Sequence, residues 1–200
     1  MPKPRTAAML VMATLLSPAG AQEDLYDPAP PSNSAFVRVA NAQAATLGGR
    51  NVTAARGAVS TYVVIPQGSL SVRAGPVSQT FEVTAGKFYT VILHGGKLSL
   101  LADAPAVNRA KALLTVYNLS QAPSIDLKTA DGKTAVIASV KPGESASRAV
   151  NGITVDLAAF QGPRTLNVMK AVKLERGKAY AIVVTDTGTT MTASTTASAR

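Results

Sequence analysis

Short runs in which apolar and polar residues alternate dominate this chain. "LSVRA" turns Leu70 and Val72 to one side and Ser71 and Arg73 to the other, and "ITVDL" does the same with Ile153, Val155 and Leu157. A period of two is that of half-buried β-strands. Pro66-Gln67-Gly68, Lys141-Pro142-Gly143, Asn151-Gly152 and Gly162-Pro163 break these runs at the short spacing of β-sandwiches. "KFYTVILHG" and "KAYAIVVTD" are instead almost continuously apolar, which predicts strands covered on both faces. Helical periodicity is slight.

The same runs carry an internal repeat. "AFVRVANAQ" (Ala35–Gln43) resembles "ALLTVYNLS" (Ala112–Ser120), and "VTAGKFYTVIL" (Val83–Leu93) resembles "LERGKAYAIVV" (Leu174–Val184). The pattern predicts an all-β chain of two tandem small Ig-like β-sandwich domains, residues 35–104 and 111–185, with a linker at 105–110. Each half is small enough that packing of one on the other is expected. The second copy is longer, by residues placed in its middle strands or loops. Residues 22–34 form a proline-rich arm that Pro28, Pro30 and Pro31 keep extended. Residues 186–200, rich in Ser and Thr with no apolar period, read as a disordered tail.

Within the second half, "LKTADGKT" (Leu127–Thr134) reads as a hairpin tip. Asp131-Gly132 favours a two-residue turn, since Gly takes positive φ freely and Asp tolerates it. That turn would set Lys128 opposite Ala135 and Leu127 opposite Val136. Lys128 and Lys133 then become diagonal neighbours on the outer face, and Ile137 falls on the lysine side unless a bulge intervenes.

The first 21 residues read as an export signal: Lys3 and Arg5, the apolar stretch Ala7–Leu16, and the small residues Ala19-Gly20-Ala21. With no cysteine there is no disulfide, thiolate metal site or lipidated Cys, and an exported chain without disulfides fits a bacterial periplasm. The formal charge of +9 is uneven, because residues 106–200 hold 12 basic and 6 acidic side chains. A basic exported domain suggests an anionic partner: an acidic polysaccharide, a membrane surface or an acidic protein.

Catalytic constellations are sparse. The single histidine, His94, stands at the end of a predicted buried strand in "VILHGG", whose glycines read as a hairpin turn. No G-x-S-x-G elbow and no DxxH pairing accompany it, so no catalytic residue is assigned. One His, no Cys and scattered carboxylates assemble no metal site, and no Gly-rich phosphate loop leads into a helix. No cofactor is expected. Export, and aromatics that do not cluster with basic residues, argue against nucleic acid. Without Trp the chain lacks the usual stacking platform for neutral sugars, but Arg and Lys suit an anionic glycan. Candidate contacts are Leu25 and Tyr26, apolar residues in the arm, and Lys128 and Lys133 for a polymer.

"LYDPAPPSNSAFVRVANA", "KALLTVYNLSQAPSIDLKTADGKTAVIASV" and "VKLERGKAYAIVVT" are similar, in order and spacing, to the AlgF family of periplasmic alginate biosynthesis proteins. The resemblance implies two β-sandwiches working in the O-acetylation of alginate, beside SGNH-type acetyltransferases and a membrane-bound acyl-transfer protein. It carries no family active-site residues, which implies a non-catalytic accessory or adaptor, with the alginate polymer itself as a further candidate partner. The alternatives are a free-standing anionic-glycan-binding or cell-surface sandwich, and an enzyme that carries acetyl through Ser or His94.

Overall fold

The computed structural model describes residues 29–196, and among these every regular element is a strand. The first eight are β1 (Ser34–Ala40), β2 (Ala45–Leu47), β3 (Arg50–Val52), β4 (Val63–Pro66), β5 (Gly68–Ala74), β6 (Val77–Val83), β7 (Phe88–His94) and β8 (Lys97–Asp103). They form two sheets, β4-β1-β7-β8 and β3-β2-β5-β6. After residues 104–110 come β9 (Lys111–Asn118), β10 (Ile125–Thr129), β11 (Ala135–Val140), β12 (Ser145–Asn151), β13 (Thr154–Gln161), β14 (Arg164–Lys173), β15 (Ala179–Thr185) and β16 (Gly188–Ala193). Their sheets are β12-β9-β15-β16 and β11-β10-β13-β14.

The second set repeats the first strand for strand. In each half the opening strand lies parallel to the seventh, β1 to β7 and β9 to β15, and antiparallel to the fourth. The two "GK" turns that launch β7 and β15 share a left-handed glycine, Gly86 at φ 72° and Gly177 at φ 74°. The greater length of the second copy lies in its middle strands: β11 has six residues where β3 has three, and β14 has ten where β6 has seven.

Each sandwich has its own core. Val37, Leu47, Leu70, Val72 and Leu98 fill the first, and Leu114, Ile125, Leu127, Leu157 and Ile182 the second. A third cluster joins them, with Ala40, Val59 and Ile92 meeting Tyr117, Leu119, Ala181 and Val183. The sheets containing β1 and β9 therefore pack on each other through their outer faces. This accounts for the near-continuous apolar runs. In β15, Ile182 and Val184 serve the inner core while Ala181 and Val183 serve the joint.

Residues 186–196 of the expected disordered tail form a turn, a strand and a bridge instead, and residues 197–200 lie outside the described residues. After a turn at Thr185–Gly188, the chain returns as β16, pairing with β15 from Thr185↔Gly188 to Tyr180↔Ala193. Beyond β16, the Tyr62 amide donates to the Thr195 carbonyl at 2.9 Å, tying the end of the second half to the first. Threonine favours pleated backbone because its β-branched side chain packs well there, and Met191 supplies the apolar contact with the core. The signal segment and most of the proline arm, including Leu25 and Tyr26, lie outside the described residues.

Candidate functional site

The octet Leu127–Thr134 does form a hairpin tip, but a wider one than the two-residue turn. Thr129 and Thr134 close the loop, with the Thr129 amide donating to the Thr134 carbonyl at 2.9 Å and the Gly132 amide to the Thr129 carbonyl at 2.8 Å. The Asp131 carboxylate accepts from the Thr129 hydroxyl at 2.5 Å and from the Lys133 amide at 3.1 Å. Gly132, at φ 73°, lies over the Phe160 ring, where an added Cβ would stand 3.7 Å from the ring edge. Lys128 faces Ala135 as expected, yet Leu127 pairs with Ile137 rather than Val136. Val136 is the extra residue of a bulge, and the bulge returns Ile137 to the core.

The two lysines consequently differ. Lys128 Nζ lies 3.2 Å from the Asp126 carboxylate and 5.4 Å from the Phe160 ring centre, so its charge is largely met within the sheet. Lys133 is exposed in the loop. The two do not form the diagonal pair that a two-residue turn would have made.

Asp126 has a second task. Its carboxylate accepts the Ser139 amide at 2.8 Å, where β11 bulges and Ser139 takes φ 57°. Asp156 repeats the device on the next strand, accepting the Ala171 amide at 2.7 Å where Ala171 takes φ 50°. A short carboxylate thus holds each left-handed residue in place. The Ser139 amide, and then Lys128, hold the Asp126 carboxyl below its ordinary value. A lowered folded value means stability that is present above about pH 4, the unfolded value, and lost as pH falls through the folded one. Asp126→Asn should therefore cost about 1 kcal/mol at pH 7. In urea titrations the gap between the two proteins should close as pH falls from about 4 through the lowered folded value.

The densest group of reactive side-chain types lies elsewhere, in the joint between the sandwiches. Arg38 occupies the outer face of β1, and its guanidinium donates to the Thr90 hydroxyl at 2.9 Å, the Tyr117 hydroxyl at 2.8 Å and the Ser194 hydroxyl at 2.9 Å. It also lies over the Tyr62 ring, 4.2 Å from its centre. Asp103 receives the Tyr62 hydroxyl at 2.8 Å, the Thr90 hydroxyl at 2.5 Å and a short bond from the Tyr117 hydroxyl. The Arg38 and Asp103 side chains stand 3.9 Å apart and are each only 2% exposed. Four strands of the two domains meet here, together with residues flanking β4 and β16.

This group has the residue types of an active site but not the electrostatics. Burial first, and the Asp103 charge second, push both Tyr62 and Tyr117 away from ionisation, so neither hydroxyl is readied as a base or nucleophile. Every donor and acceptor described is spent on a neighbour within the chain. The arrangement can fix the angle between two sandwiches; it offers no exposed nucleophile paired with a base. A cavity of about 280 Å³ borders it, walled mainly by apolar residues such as Phe88, Pro105 and Leu113.

His94 also belongs to the joint. It closes the β7–β8 hairpin opposite Lys97, and its ring lies beside Gly143, with Cδ2 3.6 Å from where a Cβ there would stand. Among the described residues no group of three or more His, Asp and Glu side chains could hold a metal ion. The repeated asparagines have loop-holding roles. Asn41 accepts the Gly57 amide at 2.9 Å, while buried Asn118 accepts the Ser120 amide at 3.0 Å and donates to the Val140 carbonyl at 2.9 Å.

The family model described as "Alginate O-acetyl transferase AlgF" matches residues 7–181. An "Alginate biosynthesis protein AlgF" from Pseudomonas putida is 36% identical over 188 residues, covering 91% of this chain and 87% of that protein. Its namesake in Pseudomonas aeruginosa is 36% identical over 192 residues, covering 92% and 88%. A solved structure of the C-terminal domain of AlgF from P. aeruginosa is 34% identical and covers 42% of this chain and 97% of that one, with a TM-score of 0.36.

Proposed function

The chain belongs to the AlgF family of alginate biosynthesis proteins, and from that premise we propose that it is a periplasmic, non-catalytic accessory protein of alginate O-acetylation. The observation that carries this reading is the fate of the one catalytic-looking cluster: Arg38, Asp103, Tyr62, Thr90 and Tyr117 are sealed in the joint and spent on holding the sandwiches together. A rigid pair of sandwiches with extended outer surfaces suits a scaffold. Its proposed partners are SGNH-type acetyltransferases and a membrane-bound acyl-transfer protein, reached in part through Leu25 and Tyr26 of the arm. Of the two lysines proposed to meet the polymer, Lys133 has the freer charge, because Asp126 already holds Lys128.

The family description names a transferase, and the proposal assigns transfer to the partners. Deleting the gene from an alginate-producing host should leave polymer secretion intact and remove its O-acetyl groups, with O-acetylation restored by the intact gene. Normal O-acetyl content in a clean deletion would overturn the reading.

A further inference from the structure

Where β9, β13 and β15 begin, the second sandwich ends in three adjoining segments: residues 107–111, the β12–β13 turn at 151–154 and the β14–β15 turn at 173–178. Backbone bonds tie them together. The Gly177 amide donates to the Lys111 carbonyl and the Leu174 amide to the Ile153 carbonyl, each at 2.9 Å, while Lys111 pairs with Asn151. The packing is as close. Gly177 abuts the Arg109 backbone, and the Arg176 stem covers Gly152 so tightly that a Cβ added there would stand 2.8 Å from its Cγ.

This end is basic. Arg109, Lys111, Lys173, Arg176 and Lys178 are all exposed. Only Lys173 enters an ion pair among the described residues, with Glu175 at 3.2 Å. The Leu127–Thr134 tip reaches the same end, because the Ala130 amide donates to the Asp156 carbonyl at 2.9 Å, and it adds exposed Lys133. The nearby acids are engaged within the chain: Asp156 accepts the Ala171 amide at 2.7 Å, and Asp131 is spent on the Thr129 hydroxyl and the Lys133 amide. The cations do not converge on a ligand-sized cleft. The cavity beside Lys111 holds only about 60 Å³, against roughly 300–1,000 Å³ for ordinary ligand sites. An extended anionic surface is the better match.

Two aliphatic side chains stand among these charges. Val107 is 81% exposed and Ile153 54%, two of the three large apolar residues left exposed in the described chain. A lone exposed aliphatic is ordinary, but both of these sit inside the basic rim. Ile153 follows the glycine that Arg176 covers, and Val107 shares the small cavity with Lys111. A protein interface gathers its apolar residues into a core with the charges pushed to the edge. Single aliphatics on loops, each beside a cation, suit a membrane instead: the cations meet lipid phosphates while the aliphatic tips enter the layer behind them.

We propose that this end of the second sandwich binds an anionic membrane surface, with Arg109, Lys111, Arg176 and Lys178 meeting lipid phosphates and Val107 and Ile153 entering the headgroup layer. A basic patch and an apolar insertion are the two signals that peripheral attachment needs together. The inference goes beyond the accessory reading and does not rest on it.

The test sediments the full mature chain with vesicles of equal parts phosphatidylglycerol and phosphatidylcholine, and with vesicles of phosphatidylcholine alone. Binding should occur only with the mixed vesicles and should fade as salt screens the charges. Arg109→Glu combined with Lys178→Glu should weaken it about tenfold or more, while the thermal midpoint holds because both side chains are exposed. Val107→Ser combined with Ile153→Ser should weaken it severalfold at unchanged net charge, a loss that charge attraction alone does not produce. Arg50→Glu combined with Arg56→Glu, on exposed positions of the first sandwich, should change it little. An equal loss there would show attraction by net charge and overturn the site. Mixed vesicles left unbound, with polyglutamate held through Arg109 and Lys178, would give the patch to an acidic protein and overturn the membrane assignment.

Discussion

Replacing Arg38 with Met should destabilise the protein by about 3–5 kcal/mol, the range seen when one partner of a buried ion pair is removed. Against a total stability of about 5–15 kcal/mol, that loss is severe. The variant leaves the Asp103 carboxylate buried without its cation and takes one partner each from Thr90, Tyr117 and Ser194. Because the cost comes from an orphaned charge, removing the charge as well should recover part of it. Arg38→Met with Asp103→Leu should therefore be more stable than Arg38→Met alone. Guanidinium unfolding of the single and double variants measures both numbers. A single-variant loss under about 1 kcal/mol, or additive losses in the double, would show that the network is not a closed pair.

Ending the chain after Thr187 should have an effect at least as large. The truncation removes β16, strips the whole edge of β15 and takes Met191 from the second core. It also removes the Ser194 hydroxyl from Arg38 and the Thr195 carbonyl from the Tyr62 amide. The first sandwich keeps all eight of its strands, so damage should concentrate in the second. Limited proteolysis should cut residues 111–187 at many sites and leave a protected fragment from the first domain. A truncated chain with the intact chain's midpoint and protease resistance would mean that β16 is dispensable.

That strand also shows where sequence reasoning stopped. "TDTGTTMTASTTASAR" has nine Ser or Thr and a single apolar residue larger than alanine, so composition pointed to disorder. The internal repeat carried the opposite signal: β8 follows β7, so a copy of β8 had to follow β15. β-Propensity and the repeat together outweighed the low hydrophobicity, and from β16 Met191 packs against the second core. The alternating β5 and the doubly buried β7 and β15 were legible because their periodicity reflects burial directly, whereas in "ITVDL" Val155 and Leu157 turn inward but Ile153 lies outside β13 and is 54% exposed.

The joint was not legible, for a different reason. In "AFVRVANA" alternation sends Arg38 to the outer face of its strand, where solvent is the default. Its partner Tyr117 is 79 residues away, in the other domain. No local pattern encodes that the outer face is itself covered. The hairpin at Asp131-Gly132 failed by a smaller margin. Its turn residues were read correctly, but the wider loop is closed by the Thr129 and Asp131 side chains and the register is shifted by the extra Val136, neither of which turn propensity encodes.

The central claim is that the chain serves acetylation without performing it, and intact-mass analysis of the purified protein tests this most directly. Incubation with a chromogenic acetyl ester should yield no acetylated protein and no product above the blank rate, with His94→Ala indistinguishable from the unaltered chain. A stoichiometric burst of product, an added acetyl group on the protein and the loss of both in His94→Ala would contradict the account and make the protein an acetyl carrier.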